Sequence, residues 1–180
     1  MWIAAAAAWG FAEATLFFVV PDVLLTWLAG FRPRLVWRAV AACLVGALAG
    51  GAAMYVAALQ WPGAMRALLE FVPAIGGSLV ADTASALHAD YASAMLRAGF
   101  TGVPYKILAV ESGGQAQGLA TFLAWSVPAR LSRWLLMVLA ARGIAIVVRR
   151  CSQRADRILW ALWATVWGIV YIVYFSVMDW

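Results

Sequence analysis

An all-α integral membrane protein is predicted: a helical bundle with two opposed, broken or re-entrant hairpins in an inverted repeat, plus a C-terminal transmembrane helix. Three observations predict it. Hydrophobic residues make up 66% of the 180 and charged residues only 12%, where a soluble domain is about half apolar and a quarter charged. Two otherwise apolar stretches carry proline together with charge. The first holds Glu13, Pro21 and Asp22, and the second Pro104, Lys106 and Glu111. The arginines, finally, sit at the ends of apolar segments, where they anchor and orient a membrane protein.

At about 20 residues per span there is room for roughly four to six embedded segments and none for a separate soluble domain. Residues 1–180 therefore read as one membrane domain in four parts. These are 1–59, a first hairpin plus helix; 60–98, an external loop and amphipathic helix; 99–148, a second hairpin plus helix; and 149–180, a basic loop and last helix. The 11 tryptophans suit a bilayer protein, because indole rings anchor at the lipid–water interface. A net charge of +5 could suggest nucleic acid in a soluble chain. Here orientation and anionic headgroups account for it, and no nucleic acid is expected. Cys43 and Cys151 lie in or beside hydrophobic segments and suggest neither a disulfide nor a metal site. No cofactor is expected. The N-terminus lacks the positive region of a cleaved signal peptide and is expected to be retained.

Residues 4–30 read as helix–break–helix. Proline removes a backbone donor, and in lipid broken backbone survives only where protein or a water-filled cavity covers it. An acid near the bilayer centre costs roughly 2.5–3.5 kcal/mol, so Glu13 and Asp22 are expected to face a polar cavity. The alternative is one ordinary spanning helix with Asp22 at the interface. A short basic loop with Arg32, Arg34 and Arg38 follows, then a charge-free span over 39–59. Gly46 and Gly50 in that span form a small-xxx-small pattern that admits close helix approach, or are merely tolerated in lipid. Residues 64–72 are expected as a short interfacial helix, and 78–97 as one amphipathic helix with Leu79, Val80, Thr83, Leu87, Tyr91, Ala94 and Met95 on its apolar stripe. The stretch 99–125 reads as a second hairpin turning near Ser112–Gln115, with a plain surface loop as the alternative. Further spans are expected from about 127 to 148 and from 158 to 178, separated by the basic connector 149–157.

The positive-inside rule puts the Arg32–Arg38 and Arg149–Arg157 segments on the cytoplasmic side. The first hairpin then enters from inside and the second from outside, each followed by one full span. This is the inverted-repeat plan of secondary transporters, whose sites lie near midplane between the broken segments.

Glu13 with Pro21 and Asp22, a glycine-rich span (Gly46, Gly50, Gly51) ending near Tyr55, Phe100, Gly102, Pro104, Tyr105 and Lys106, and Arg130 and Arg133 with Trp134 opening a helix follow one another in this order. In that order and spacing the chain resembles the DedA superfamily, the SNARE-associated or VTT-domain membrane proteins, and within it the short YqaA-like branch. The resemblance covers Gly10 to about Arg142. It departs where Gly99 precedes Phe100 in place of an arginine, where Lys106 stands near the position of a second arginine, where the proline is offset, and where Asp22 follows Pro21 in place of a Pro-x-Glu acid. The resemblance implies a multi-pass protein of the bacterial inner membrane that translocates or scrambles lipid. Its partners would be membrane lipids, anionic or polyprenyl phosphate lipids among them, and a homo-oligomer is compatible with it.

The residues suggest the same chemistry. Glu13 and Asp22 on one hairpin and Lys106 and Glu111 on the other are expected to meet at midplane. Embedded ionisable groups pair with one another or mark a substrate or proton route. Burial disfavours a charged acid, which suits Glu13, Asp22 and Glu111 to proton coupling. Lys106, Arg130 and Arg133 are the candidate phosphate ligands, since a guanidinium matches phosphate oxygens bidentately. A structural or assembly role for these ion pairs is one alternative. A less favoured one is an intramembrane enzyme built on Ser112 and His88; clustered histidines or a serine elbow would be needed to support it.

Overall fold

The structure, a computed structural model, describes residues 1–73 and 75–177. Among the described residues it is helical throughout, with three helices long and apolar enough to cross a membrane. In order the helices are α1 (Trp2–Thr15), α2 (Asp22–Phe31), α3 (Val36–Gln60), α4 (Pro62–Glu70), α5 (Gly77–Ala89), α6 (Tyr91–Thr101), α7 (Tyr105–Gly114), α8 (Leu119–Cys151) and α9 (Ala155–Val177). The three long ones are α3, α8 and α9. Met178, where the last span was expected to end, lies outside the described residues.

The break expected in the first stretch is present. The Thr15 hydroxyl bonds the Phe11 and Ala12 carbonyls at 3.1 and 2.9 Å as α1 ends. Pro21, which cannot continue a helix with its own donor, stands immediately before α2. The Trp9 indole donates to the Val19 carbonyl at 2.9 Å and ties the intervening segment back onto α1.

α1 returns against α3 along a seam of small residues. A Cβ on Gly46 would collide with the Ala7 carbonyl, one on Gly10 with the Cys43 carbonyl, and one on Gly50 would lie 2.7 Å from the Phe11 carbonyl oxygen. At these positions the backbones of α1 and α3 touch. The small-xxx-small pattern of the sequence is thus used in packing. Gly46→Ala is expected to destabilise the protein by at least about 1–3 kcal/mol, the usual cost of overpacking. Thermal unfolding in detergent checks this, and an unchanged midpoint would refute it.

From residue 78 onward the structure differs from expectation in four ways. The apolar stripe over 78–97 is buried or half-buried, but it is carried by two helices, because Asp90 leaves helical geometry and caps α6 by accepting from the Ser93 backbone at 3.1 Å. A sharp reversal lies at 102–104, where Gly102 takes φ +84° before Pro104; the left-handed region suits glycine. The turn expected near Ser112–Gln115 is found at 115–118, where it joins α7 to α8. Last, the expected hairpin arm and the following span are one continuous helix through Pro128. Neighbouring groups in a membrane helix can re-satisfy what an interior proline frees.

Side-chain bonds define the two ends of the bundle. Arg149 donates to the Gly30 carbonyl at 3.0 Å and Arg142 to that of Pro33 at 3.4 Å, so the two basic segments share one end. At the other end the Tyr55 hydroxyl on α3 donates to the Gln117 carbonyl. α9 is largely exposed and docks through one stripe. Trp163 donates to the Val23 carbonyl at 3.2 Å, Trp167 to the Thr26 hydroxyl at 3.0 Å, and Tyr171 accepts from the Val20 backbone at 3.1 Å.

Candidate functional site

Glu13 lies in the last turn of α1 and Asp22 opens α2, so the break between those helices turns both carboxylates into the bundle. Arg130 and Arg133 are three residues apart on α8 and therefore share a face. The two sets meet. Arg130 forms an ion pair with Glu13, both side chains about nine-tenths buried. Arg133 grips Asp22 with both arms of its fork, Nε to Oδ1 at 3.2 Å and Nη2 to Oδ2 at 2.8 Å. Asp22 is only 1% exposed, while Arg133 keeps 30% of its side chain accessible.

Lys106 is the second residue of α7, just beyond the reversal at 102–104, and is buried. Its ammonium donates to the Phe17 carbonyl at 2.8 Å, which joins the two breaks. The aromatic frame around Arg130 is dense. The guanidinium carbon stands 4.2 Å from the Tyr105 ring centre and 4.8 Å from that of Trp134, distances at which ring faces attract cations. Tyr105 is fixed by its bond to the Ser126 hydroxyl at 2.8 Å and by stacking on Phe122. The Arg130 Nε is buried without a hydrogen-bond partner among the described residues.

Glu13, Asp22, Lys106, Arg130 and Arg133 all line one cavity of about 250 Å³. Three cations face two carboxylates there, an excess of one positive charge, and the remaining walls are mostly apolar, with Phe17, Trp134 and Tyr171 among them. An unpartnered guanidinium nitrogen, an ammonium bonded to a carbonyl and a positive excess make the cavity suited to an anion. Guanidinium groups accept two oxygens of a phosphate or carboxylate at once.

Two expectations are corrected. Glu111 does not join Glu13 and Asp22; Lys106 lines their cavity, but the ion pairs to the two acids come from Arg130 and Arg133. Glu111 is fully buried, but both its oxygens are held by Arg66 at 2.7 and 2.6 Å, away from the cavity. Lys106 and Glu111 are five residues apart on α7, and a helix turns such positions roughly 140° away from one another around its axis. Arg66 on α4 was not anticipated as a partner, nor were Tyr105 and Trp134 as the frame of Arg130. A buried acid on α7 demanded a cation, but nothing in the local sequence pointed to α4 as its source. His88 lies exposed on α5, whereas the buried Ser112 hydroxyl shares a 2.8 Å hydrogen bond with that of Tyr91.

No match to this chain is found among protein-family models, curated proteins or solved structures.

Proposed function

We propose that this chain is a DedA-like membrane transporter that translocates or scrambles a phosphate-headgroup lipid, with its buried carboxylates coupled to protons. One observation carries the proposal: two arginines, each held by a carboxylate, flank a cavity with an excess of positive charge in a chain with three membrane-length helices among its described residues. A lipid phosphate and a carboxylate compete for the same guanidinium fork. Protonation of Glu13 or Asp22 releases Arg130 or Arg133 to the phosphate; loss of that proton returns the arginine to its acid and expels the headgroup. Lys106 holds the phosphate charge while the arginines exchange partners.

In this reading α1 with α2 and α6 with α7 are re-entrant hairpins entering from opposite sides, the halves of an inverted repeat, and the site lies where their breaks meet. The shared basic end is cytoplasmic in this reading, and the resemblance to DedA proteins supports a bacterial inner membrane as its location. The test is transfer of headgroup-labelled phospholipid and of a polyprenyl phosphate across liposomes, with and without a pH gradient. Wild type is expected to move at least one of them, and Glu13→Gln to lose at least about tenfold. The absence of transfer by folded wild type would defeat the proposal. A structural or assembly role is the second reading, favoured by the pairing of both cavity carboxylates. Full function of Glu13→Gln and Asp22→Asn in cells would support it.

A further inference from the structure

A second concavity of about 210 Å³ lies between α2, α8 and α9. It carries no charge; Ala140, Ala141, Ile144, Leu162 and Val166 are typical of its walls. Its one hydroxyl, that of Thr26, is already engaged, donating to the Asp22 carbonyl at 2.6 Å and accepting from Trp167 at 3.0 Å. The groove therefore offers contact to hydrocarbon and nothing to a polar ligand. Trp167 lines both this groove and the charged cavity. It is the partition between them, and its indole bond to Thr26 fixes it one turn from Asp22. A charged chamber and an apolar channel sharing one wall have the layout of a single amphiphile.

We infer that the groove between α2, α8 and α9 seats the hydrocarbon chain of a phospholipid whose phosphate occupies the Arg130–Arg133–Lys106 cavity, the chain passing Trp167. The inference rests on the lipid reading above and adds the tail site and the path between the two. A generic boundary lipid would fill the groove without regard to headgroup. A seated substrate would not, because its chain is delivered there by the phosphate.

The test uses the intact wild-type protein in liposomes. One probe is phosphatidylglycerol with a diazirine at the end of one acyl chain; the other is diacylglycerol with the same chain. After photolysis, peptides covering 137–144 and 159–167 are expected to carry at least about fivefold more label from the phospholipid than from the diacylglycerol. Arg133→Gln is expected to remove that difference. Ala141→Phe, which narrows the groove, is expected to slow phospholipid transfer by about tenfold. Equal labelling by both probes would overturn the inference. So would groove peptides free of label together with a disulfide-linked dimer of Ala141→Cys in a Cys151→Ser background, which would give the groove to a second copy of the chain. Wild-type transfer is measured in the same liposomes. Transfer with equal labelling defeats the tail site alone, whereas headgroup-dependent labelling without transfer defeats translocation and keeps the lipid site.

Discussion

Arg130→Ala is expected to abolish lipid transfer and to destabilise the protein by about 3–5 kcal/mol, the cost of stranding one member of a buried ion pair. Both members are about nine-tenths buried, so neither can recover its hydration in place. The substitution also removes the cation that lies against Tyr105 and Trp134, which is worth about another 0.5–2 kcal/mol. Because the pair is symmetrically buried, Glu13→Ala is expected to cost nearly as much. The informative variant is the double neutralisation Glu13→Gln with Arg130→Gln. Replacing both charges of a buried pair is often close to neutral for stability. The double variant should therefore regain most of the lost thermal midpoint and none of the transfer. If it regains both, the pair is structural. Arg130→Lys is expected to fold and to transfer poorly, since an ammonium lacks the planar fork.

The second large effect falls on Arg133 and Asp22, and here the two partners are unequal. Arg133→Ala leaves Asp22, 1% exposed, with a buried charge, and about 3–5 kcal/mol is expected to be lost. Asp22→Ala leaves an arginine that is 30% exposed and lines the cavity, and a loss of about 1–3 kcal/mol is expected. Denaturation of both variants in detergent gives the order directly. The reverse order would mean that Asp22 finds a second partner when Arg133 is gone. Both variants are expected to lose transfer by tenfold or more, so transfer and stability separate most clearly in Asp22→Ala.

Much of this was legible from composition and spacing. The charge-free span predicted α3, whose described length exceeds the prediction by a few residues at its start. The Glu13–Pro21–Asp22 spacing predicted a broken segment, and the break lies there. The paired glycines predicted close packing, and α1 fills it. Partner identity was less legible. Lys106 and Glu111 were grouped because both are charges on one apolar stretch, but five positions on a helix point them apart. Arg130 and Arg133 meet the acids because α8 packs on α2 and passes the end of α1, a relation more than a hundred residues long that no local pattern encodes. Pro128 read as a boundary because proline ends helices in water, whereas the structure carries α8 straight through it.

The seam between α1 and α3 also sets the two carboxylates apart. Backbone touches backbone at Gly10, Gly46 and Gly50, and there is no side chain between them to change rotamer or slide. α1 and α3 are thus a single rigid strut, and Glu13 rides on it as a stationary post. Asp22 stands beyond the break, on a short helix held by long side chains and by two indole hydrogen bonds from α9. Of the two carboxylates, Asp22 is the one carried outside that strut, at the start of α2. A rotation of α2 would change its distance to α8 and leave Glu13 in place, so the two arginines would be released one at a time rather than together.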